Sequence, residues 1–378
     1  MFSFRSRILL IDLVKAIAAQ FIVLHHLAWF GPLSLSAAAL APAVDGGIAW
    51  FANYGRYAVA VFFVTSGFLA ALSLPPRGLH VGDSPLCLIR ERYFRLVLPF
   101  TVALLLAVVC NLLARPWLSP DLAGHVPNLL QFLAHVLMVQ SVMGIESLSA
   151  GVWYVAIDFQ LYALFILLLW LGQRIVRRPA SADYAGALPV LLVALVSLFY
   201  FNRDARWDDT ALYFFGAYAL GVGAGWVVNT ERSSRLLWLL VSVGVLALLV
   251  DFRARIAIAL VTALVLGSSR LHIKHRGMRV LHYFGGTSYA LFLIHFPIFL
   301  LVTAVFQHFW PDMPQMGALG LGVAWVVSNL FADVFHRWVE LPFARWRKHK
   351  TQCSTRRKPE AGNTVSSVST INKPCNTA

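Results

Sequence analysis

Lys15 and His26 stand eleven residues apart in the first apolar stretch, LLIDLVKAIAAQFIVLHHLAWF at 9–30. A helix turns about 100° per residue, so eleven residues make three turns plus about 20°, and the two side chains share a face. At about 1.5 Å per residue they are separated by roughly 16 Å along the axis. One stripe carrying a cation near one end and an imidazole near the other looks like the wall of a passage. Asp12 and His25 bring the same stretch to four ionisable groups. Such groups cost several kcal/mol each in hydrocarbon unless they are paired or line a cavity. His25 points about 100° away from His26 and reads as a structural or interfacial histidine.

Three other stretches place reactive side chains among apolar ones. FFVTSGFL at 62–69 puts Ser66 and Gly67 at depth in a second helix. RERYFRLVLPF at 90–100 sets Arg92 and Arg95 one helical turn apart at the mouth of a third. GGTSYALFLIHFPI at 285–298 opens a late helix with Gly285, Ser288 and Tyr289, and carries His295 along it. Cys87, Cys110, Cys353 and Cys375 show no C-x-x-C pair and no His-linked spacing, so neither a metal site nor a disulfide framework is expected.

The elements that must hold these groups are membrane helices. Of 378 residues, 59% are hydrophobic and 13% charged, with a mean hydropathy of +0.71. Runs of that kind, repeated along the chain, predict an all-α polytopic membrane protein and not a barrel of short alternating strands. About ten spanning helices are expected: 8–30, 50–74, 96–114, 153–172, 185–202, 210–228, 236–251, 254–269, 282–305 and 317–340. The apolar but short stretch 128–143 is placed at the interface or as a re-entrant segment. The first segment reads as retained, being too long and too charged for a cleaved leader.

The net charge of +14 comes mostly from Lys and Arg in short connections, which is a topology signal rather than a nucleic-acid surface. Arg5, Arg7, the stretch Arg77 to Arg95, Arg174 to Arg178, Arg232, Arg235, Arg270 to Arg279 and the tail from Arg345 fall on one side. Arg115, Arg203, Arg206, Arg253 and Arg255, with Asp121, Asp204, Asp208, Asp209 and Asp251 nearby, fall on the other. Both termini are therefore expected in the cytoplasm. A transmembrane domain over 1–345 is followed by a basic, polar tail over 346–378, expected to be disordered. No internal repeat is visible, which weighs against an inverted-repeat transporter.

Taken in order, these stretches resemble the acyltransferase-3 family of membrane O-acyltransferases, which acylate bacterial sugars. The first-helix cation and histidine match at Lys15 and His26, with Lys in place of the family's Arg. The FFxxSGF stretch matches Phe62 to Phe68, and the R-x-x-R pair matches Arg92 and Arg95. WYVAIDFQLY resembles the family's W…E…FY stretch, with Asp158 at the carboxylate and Tyr162 at the tyrosine. Gly285, Ser288, Tyr289, His295 and Pro297 match the G-x-x-SY…H-x-P segment, and Glu340 with Pro342 matches E-x-P.

The resemblance implies an enzyme moving an acyl group, foremost acetyl, from cytoplasmic acetyl-CoA or another acyl-CoA to a carbohydrate. The acceptor would be lipopolysaccharide, exopolysaccharide or a similar envelope glycan, and the location a bacterial inner membrane. Arg92 and Arg95, with Ser288, Tyr289 and His295, are implied as donor-binding residues, and Lys15 as a cation deeper toward the acyl group. His26 would be the general base or a transient acyl carrier. Asp158, at comparable depth, would orient it as a triad carboxylate does. Ser66 is expected to assist helix packing and Glu340 to pair with Arg337 or Arg345. A transporter or flippase for a glycan or lipid-linked sugar is the alternative, and a scaffold of an envelope-polysaccharide complex the third reading.

Overall fold

A backbone crossing hydrocarbon must satisfy its own N–H and C=O groups, and long apolar runs do so as helices. In the computed structural model, which describes residues 4–74, 81, 84–124, 126–176, 185–228, 233–268 and 278–352, every such run is helical. In chain order these are α1 (Phe4–Trp29), α2 (Pro32–Ala38), α3 (Pro42–Tyr54), α4 (Val59–Leu72), α5 (Pro85–Ala114), α6 (Pro120–Ala123), α7 (Leu129–Val136) and α8 (Val152–Val176). They are followed by α9 (Leu188–Phe199), α10 (Ala211–Val228), α11 (Ser233–Val250), α12 (Ala254–Ser268), α13 (Met278–Phe309), α14 (Pro314–Phe335) and α15 (Leu341–Gln352).

Among the described residues seven runs are long and apolar enough to cross a membrane: Leu9–Trp29, Pro42–Leu72, Pro85–Trp117, Val152–Ile175, Ala211–Val228, Leu281–Phe309 and Pro314–Trp346. The fifth, seventh and eighth expected spans are the shorter apolar helices Leu188–Arg203, Arg235–Val250 and Ala254–Ser268. At about 1.5 Å per residue, the 12 residues of α9 and the 15 of α12 reach only about 18 and 23 Å, short of a hydrocarbon core of about 30 Å. Among the described residues each of the ten expected stretches is helical, and seven runs have the dimensions of a span. The stretch 128–143 holds only the eight-residue α7, with Leu129, Leu130 and Leu133 exposed.

Two boundaries differ from expectation in a way that matters. α5 begins at Pro85, not near 96, so the charged run 90–95 is helix and not connection. After α14 a π-helical turn, His336–Glu340, leads into α15, and the helix continues past 345. The basic connections that set the expected orientation include Arg77, Arg177, Arg178, Arg232 and Arg270. These, with the tail residues 353–378, lie outside the described residues.

Close approach between helices is made by glycine. A Cβ on Gly67 would overlap the Tyr218 carbonyl, and one on Gly221 would overlap that of Val64, so α4 and α10 cross backbone against backbone. A Cβ on Gly285 would overlap Asp12, which brings α13 against α1. Around these contacts a continuous apolar core runs through α1, α4, α5, α8, α10 and α13, with Phe63, Phe100, Phe165 and Tyr218 fully buried.

Candidate functional site

Two hollows approach each other inside this bundle. The first, about 450 Å³, is lined by Lys15 of α1, Ser66 of α4, Arg92 and Arg95 of α5, Tyr154 and Asp158 of α8, Ser288 and Tyr289 of α13, and Glu340. The second, about 470 Å³, is lined by His25, His26 and Trp29 of α1, Arg56, Trp153, Asp208, Asp209, Arg255 of α12, and Phe292 of α13. Phe292 lines both. Its ring lies 4.8 Å from that of Tyr154 and 5.7 Å from that of Phe62, centroid to centroid, and these three aromatics form a partition.

The Lys15 cavity is organised by one ion pair. Arg92 Nη2 donates to Asp158 Oδ2 at 2.7 Å and to Ser66 Oγ at 3.1 Å, and its guanidinium lies over the Tyr162 ring, 5.2 Å from the centroid. The early start of α5 makes this possible, because the helical run 90–95 turns Arg92 inward onto α8 and α4. Arg92 Nε and Asp158 Oδ1 are buried without a hydrogen-bond partner among the described residues. Ser288 Oγ donates to the Gly285 carbonyl at 2.7 Å, and Tyr289 donates to the Leu96 carbonyl at 3.4 Å.

The His26 recess is organised by a chain of imidazoles. His26 Nδ1 and His295 Nε2 are 2.7 Å apart, and His295 Nδ1 is 2.9 Å from the Leu291 carbonyl oxygen. The two rings are parallel within 5° with centroids 5.0 Å apart. Stacked faces would sit about 3.5 Å apart at least, so a 2.7 Å contact between parallel rings means that they meet edge to edge in one plane. A carbonyl only accepts, so neutral His295 carries its proton on Nδ1 and accepts at Nε2. His26 then donates from Nδ1, which leaves His26 Nε2 with its lone pair. That atom has no hydrogen-bond partner among the described residues.

Several expected roles change accordingly. His26 and Asp158 do not meet: the imidazole is held by His295, and the carboxylate by Arg92. In the structure the partner of Asp158 is Arg92. His295, grouped by resemblance with the donor-binding residues, does not line the Lys15 cavity and touches His26 instead. Ser66 accepts from Arg92, and the close packing belongs to its neighbour Gly67. Glu340 accepts from His336 at 2.8 Å, while Arg337 turns to Asp333. Lys15, Arg92, Arg95, Ser288 and Tyr289 do line one cavity together.

The remaining charges of the first helix have partners of their own. Asp12 pairs with His282 at 2.9 Å, and His25 Nδ1 contacts the Phe51 carbonyl at 3.2 Å. Sequence reasoning missed the far wall of the His26 recess: Arg56, Trp153, Asp208, Asp209 and Arg255. The aspartates stand in the connection before α10 and Arg255 in the first turn of α12, where they read as topology signals. Burial and the neighbouring Asp209 push the Asp208 carboxyl above the usual carboxylate range, with Arg255 and Arg56 pulling the other way.

The family model for an acyltransferase domain matches residues 8–331, which include both hollows apart from Glu340 and its neighbours. No curated protein and no solved structure matches the chain. With that match over well more than half its length, and with every quoted motif inside one helical bundle, the chain belongs to the acyltransferase-3 family and is a membrane acyltransferase.

Proposed function

We propose that the protein transfers an acyl group, foremost acetyl, from acyl-CoA to a hydroxyl of an envelope or exported glycan, with His26 as general base. The observation that carries this reading is His26 Nε2, a lone pair facing the recess while Nδ1 is fixed by His295. A sugar hydroxyl is far too weak an acid to attack unaided, and an imidazole is the side chain suited to take its proton near neutral pH. The hydroxyl oxygen bonds to the thioester carbonyl carbon as its proton passes to His26 Nε2. The carbon–sulfur bond breaks, and the leaving thiolate takes up a proton. His295 positions His26 and shares the positive charge through the edge-to-edge bond.

On this reading the Lys15 cavity faces the cytoplasm of a bacterial inner membrane, and Lys15, Arg92 and Arg95 hold the phosphates and carbonyl of the donor. The His26 recess faces the opposite side and holds the acceptor. The aromatic partition supports transfer over transport, since Phe62, Tyr154 and Phe292 leave an acyl group much less to cross than a whole glycan. The test is CoA release by purified protein given acyl-CoA and glycan acceptors. Wild type releases CoA and acylates the glycan, and His26→Ala, still folded and inserted, does neither. Full activity in that variant would remove His26 from the chemistry. Glycan transport by wild type without CoA release would favour the flippase reading.

A further inference from the structure

A third hollow of about 510 Å³, almost wholly apolar, lies on the outside of the bundle between α1, α3, α4 and α12. It adjoins the His26 recess along three separate elements, each of which lines both. On α1 the groove takes Val14, Ala18 and Phe21, and the recess takes His25 and Trp29. Steps of four, three, four and four residues keep all five on one helix face. In the 3₁₀ turn Gly55–Ala58, Tyr57 and Ala58 line the groove while Arg56 lines the recess. At the start of α12, Ala254 and Ile258 line the groove while Arg255 lines the recess.

Two arginines therefore stand where an apolar groove meets a polar, acid-lined recess. Arg56 lies with its guanidinium carbon 5.5 Å from the Tyr57 ring centroid, and Arg255 Nη1 donates to Tyr213 at 3.0 Å. Neither forms an ion pair within 4.0 Å among the described residues, although Asp208 and Asp209 line the same recess. Ordinary hydrocarbon chains need no cation at their head. A chain that ends in a phosphate does, and two guanidinium groups can take its oxygens.

We propose that the acceptor is a glycan carried on a phosphate-headed lipid. Its hydrocarbon tail lies in the groove, its phosphate between Arg56 and Arg255, and its sugar reaches His26. The order of chemistry along the path is that of such a molecule: apolar, then anionic, then hydroxyl-rich. Trp29 and Trp153 present faces for a sugar ring, and Asp208 and Asp209 accept from its hydroxyls. This assignment rests on reading the His26 recess as the acceptor site.

The experiment uses the full chain in nanodiscs of zwitterionic lipid and reads retained ligand by native mass spectrometry. The probes are a long-chain prenyl phosphate and the prenyl alcohol of the same length. Wild type is expected to retain the phosphate at least tenfold better than the alcohol. Arg56→Gln with Arg255→Gln should abolish that preference, and Ile258→Trp, which fills the groove, should lower retention of both. Equal retention of phosphate and alcohol, or displacement of the prenyl phosphate by an equal concentration of anionic phospholipid, would assign the groove to bulk bilayer lipid and overturn the proposal. In a second arm, acyl-CoA is supplied with one sugar either linked to prenyl phosphate or as a free methyl glycoside. A kcat/KM at least tenfold higher for the linked sugar supports the proposal, and equal values overturn it. If neither sugar is acylated while the phosphate is retained selectively, the acyl-transfer reading fails and the lipid site stands.

Discussion

The Lys15 cavity and the His26 recess are separated by a few aromatic rings, yet they hold charge in opposite ways. In the cavity a guanidinium is locked to a carboxylate, a serine and a tyrosine face. In the recess an imidazole is tied only to another imidazole, which ends on a backbone carbonyl. The first arrangement suits a group that must stay charged and stay still. The second suits one that must gain and lose a proton, because among the described residues no carboxylate is hydrogen-bonded to either imidazole. That difference supports the proposed division, with binding at one end of the first helix and proton transfer at the other.

Breaking the proton-transfer end should have the largest effect. His26→Gln keeps a similar volume without a base and should lower kcat by about 10²–10⁴-fold, measured as CoA release, with the protein still monodisperse in detergent. On the binding side, Arg92→Ala leaves Asp158 buried without its counter-charge. It should cost about 3–5 kcal/mol of stability, visible as a lower unfolding midpoint, and Asp158→Asn in the same chain should restore part of the loss.

Next in size is the link between the imidazoles. His295→Phe removes the acceptor of the His26 proton and should reduce kcat by about 10–100-fold, the equivalent of the roughly 1–3 kcal/mol of a lost acceptor. KM for acyl-CoA should not change, and a rise in it would move His295 back to the donor site. Phe292→Leu thins the partition and should raise the fraction of acyl-CoA hydrolysed without glycan acylation.

The smallest effect concerns Asp208. Its carboxyl titrates above the usual range, so lowering the pH through that range removes a negative charge beside Arg56 and Arg255. Retention of prenyl phosphate should therefore rise as pH falls. Asp208→Asn should raise retention about two- to fivefold at neutral pH, as expected of about 0.5–1 kcal/mol between exposed charges, and should flatten the pH dependence.

The helical architecture could be read from the sequence because apolar runs announce themselves by length. For α9 and α12, at 12 and 15 residues, the apolar run is shorter than a span: hydropathy reports composition before it reports reach. Arg92 and Arg95 were recognised, but their run looked like a connection, since charge usually marks the membrane edge. Only the three-dimensional structure brings Asp158 and Ser66 to Arg92 from two other helices. His26 was legible from its stripe with Lys15, whereas its partner lies 269 residues away and nothing local announces such a contact. The motif residues of α13 divide by helix depth, Ser288 and Tyr289 lining the Lys15 cavity and His295 standing behind His26, and a linear pattern does not record depth.

The Phe62–Tyr154–Phe292 layer also has an electrical meaning. On the proposed reading, in which the two hollows open to opposite faces of the membrane, the insulating thickness there is less than that of the surrounding bilayer, and across an energised membrane the voltage falls mainly over these rings. Moving one elementary charge through that drop involves about 2.3 kcal/mol per 100 mV. On that reading the leaving thiolate takes up a proton at one face while the sugar's proton is released at the other. Each turnover therefore carries one positive charge across this layer, and the membrane potential enters the energy of the transfer.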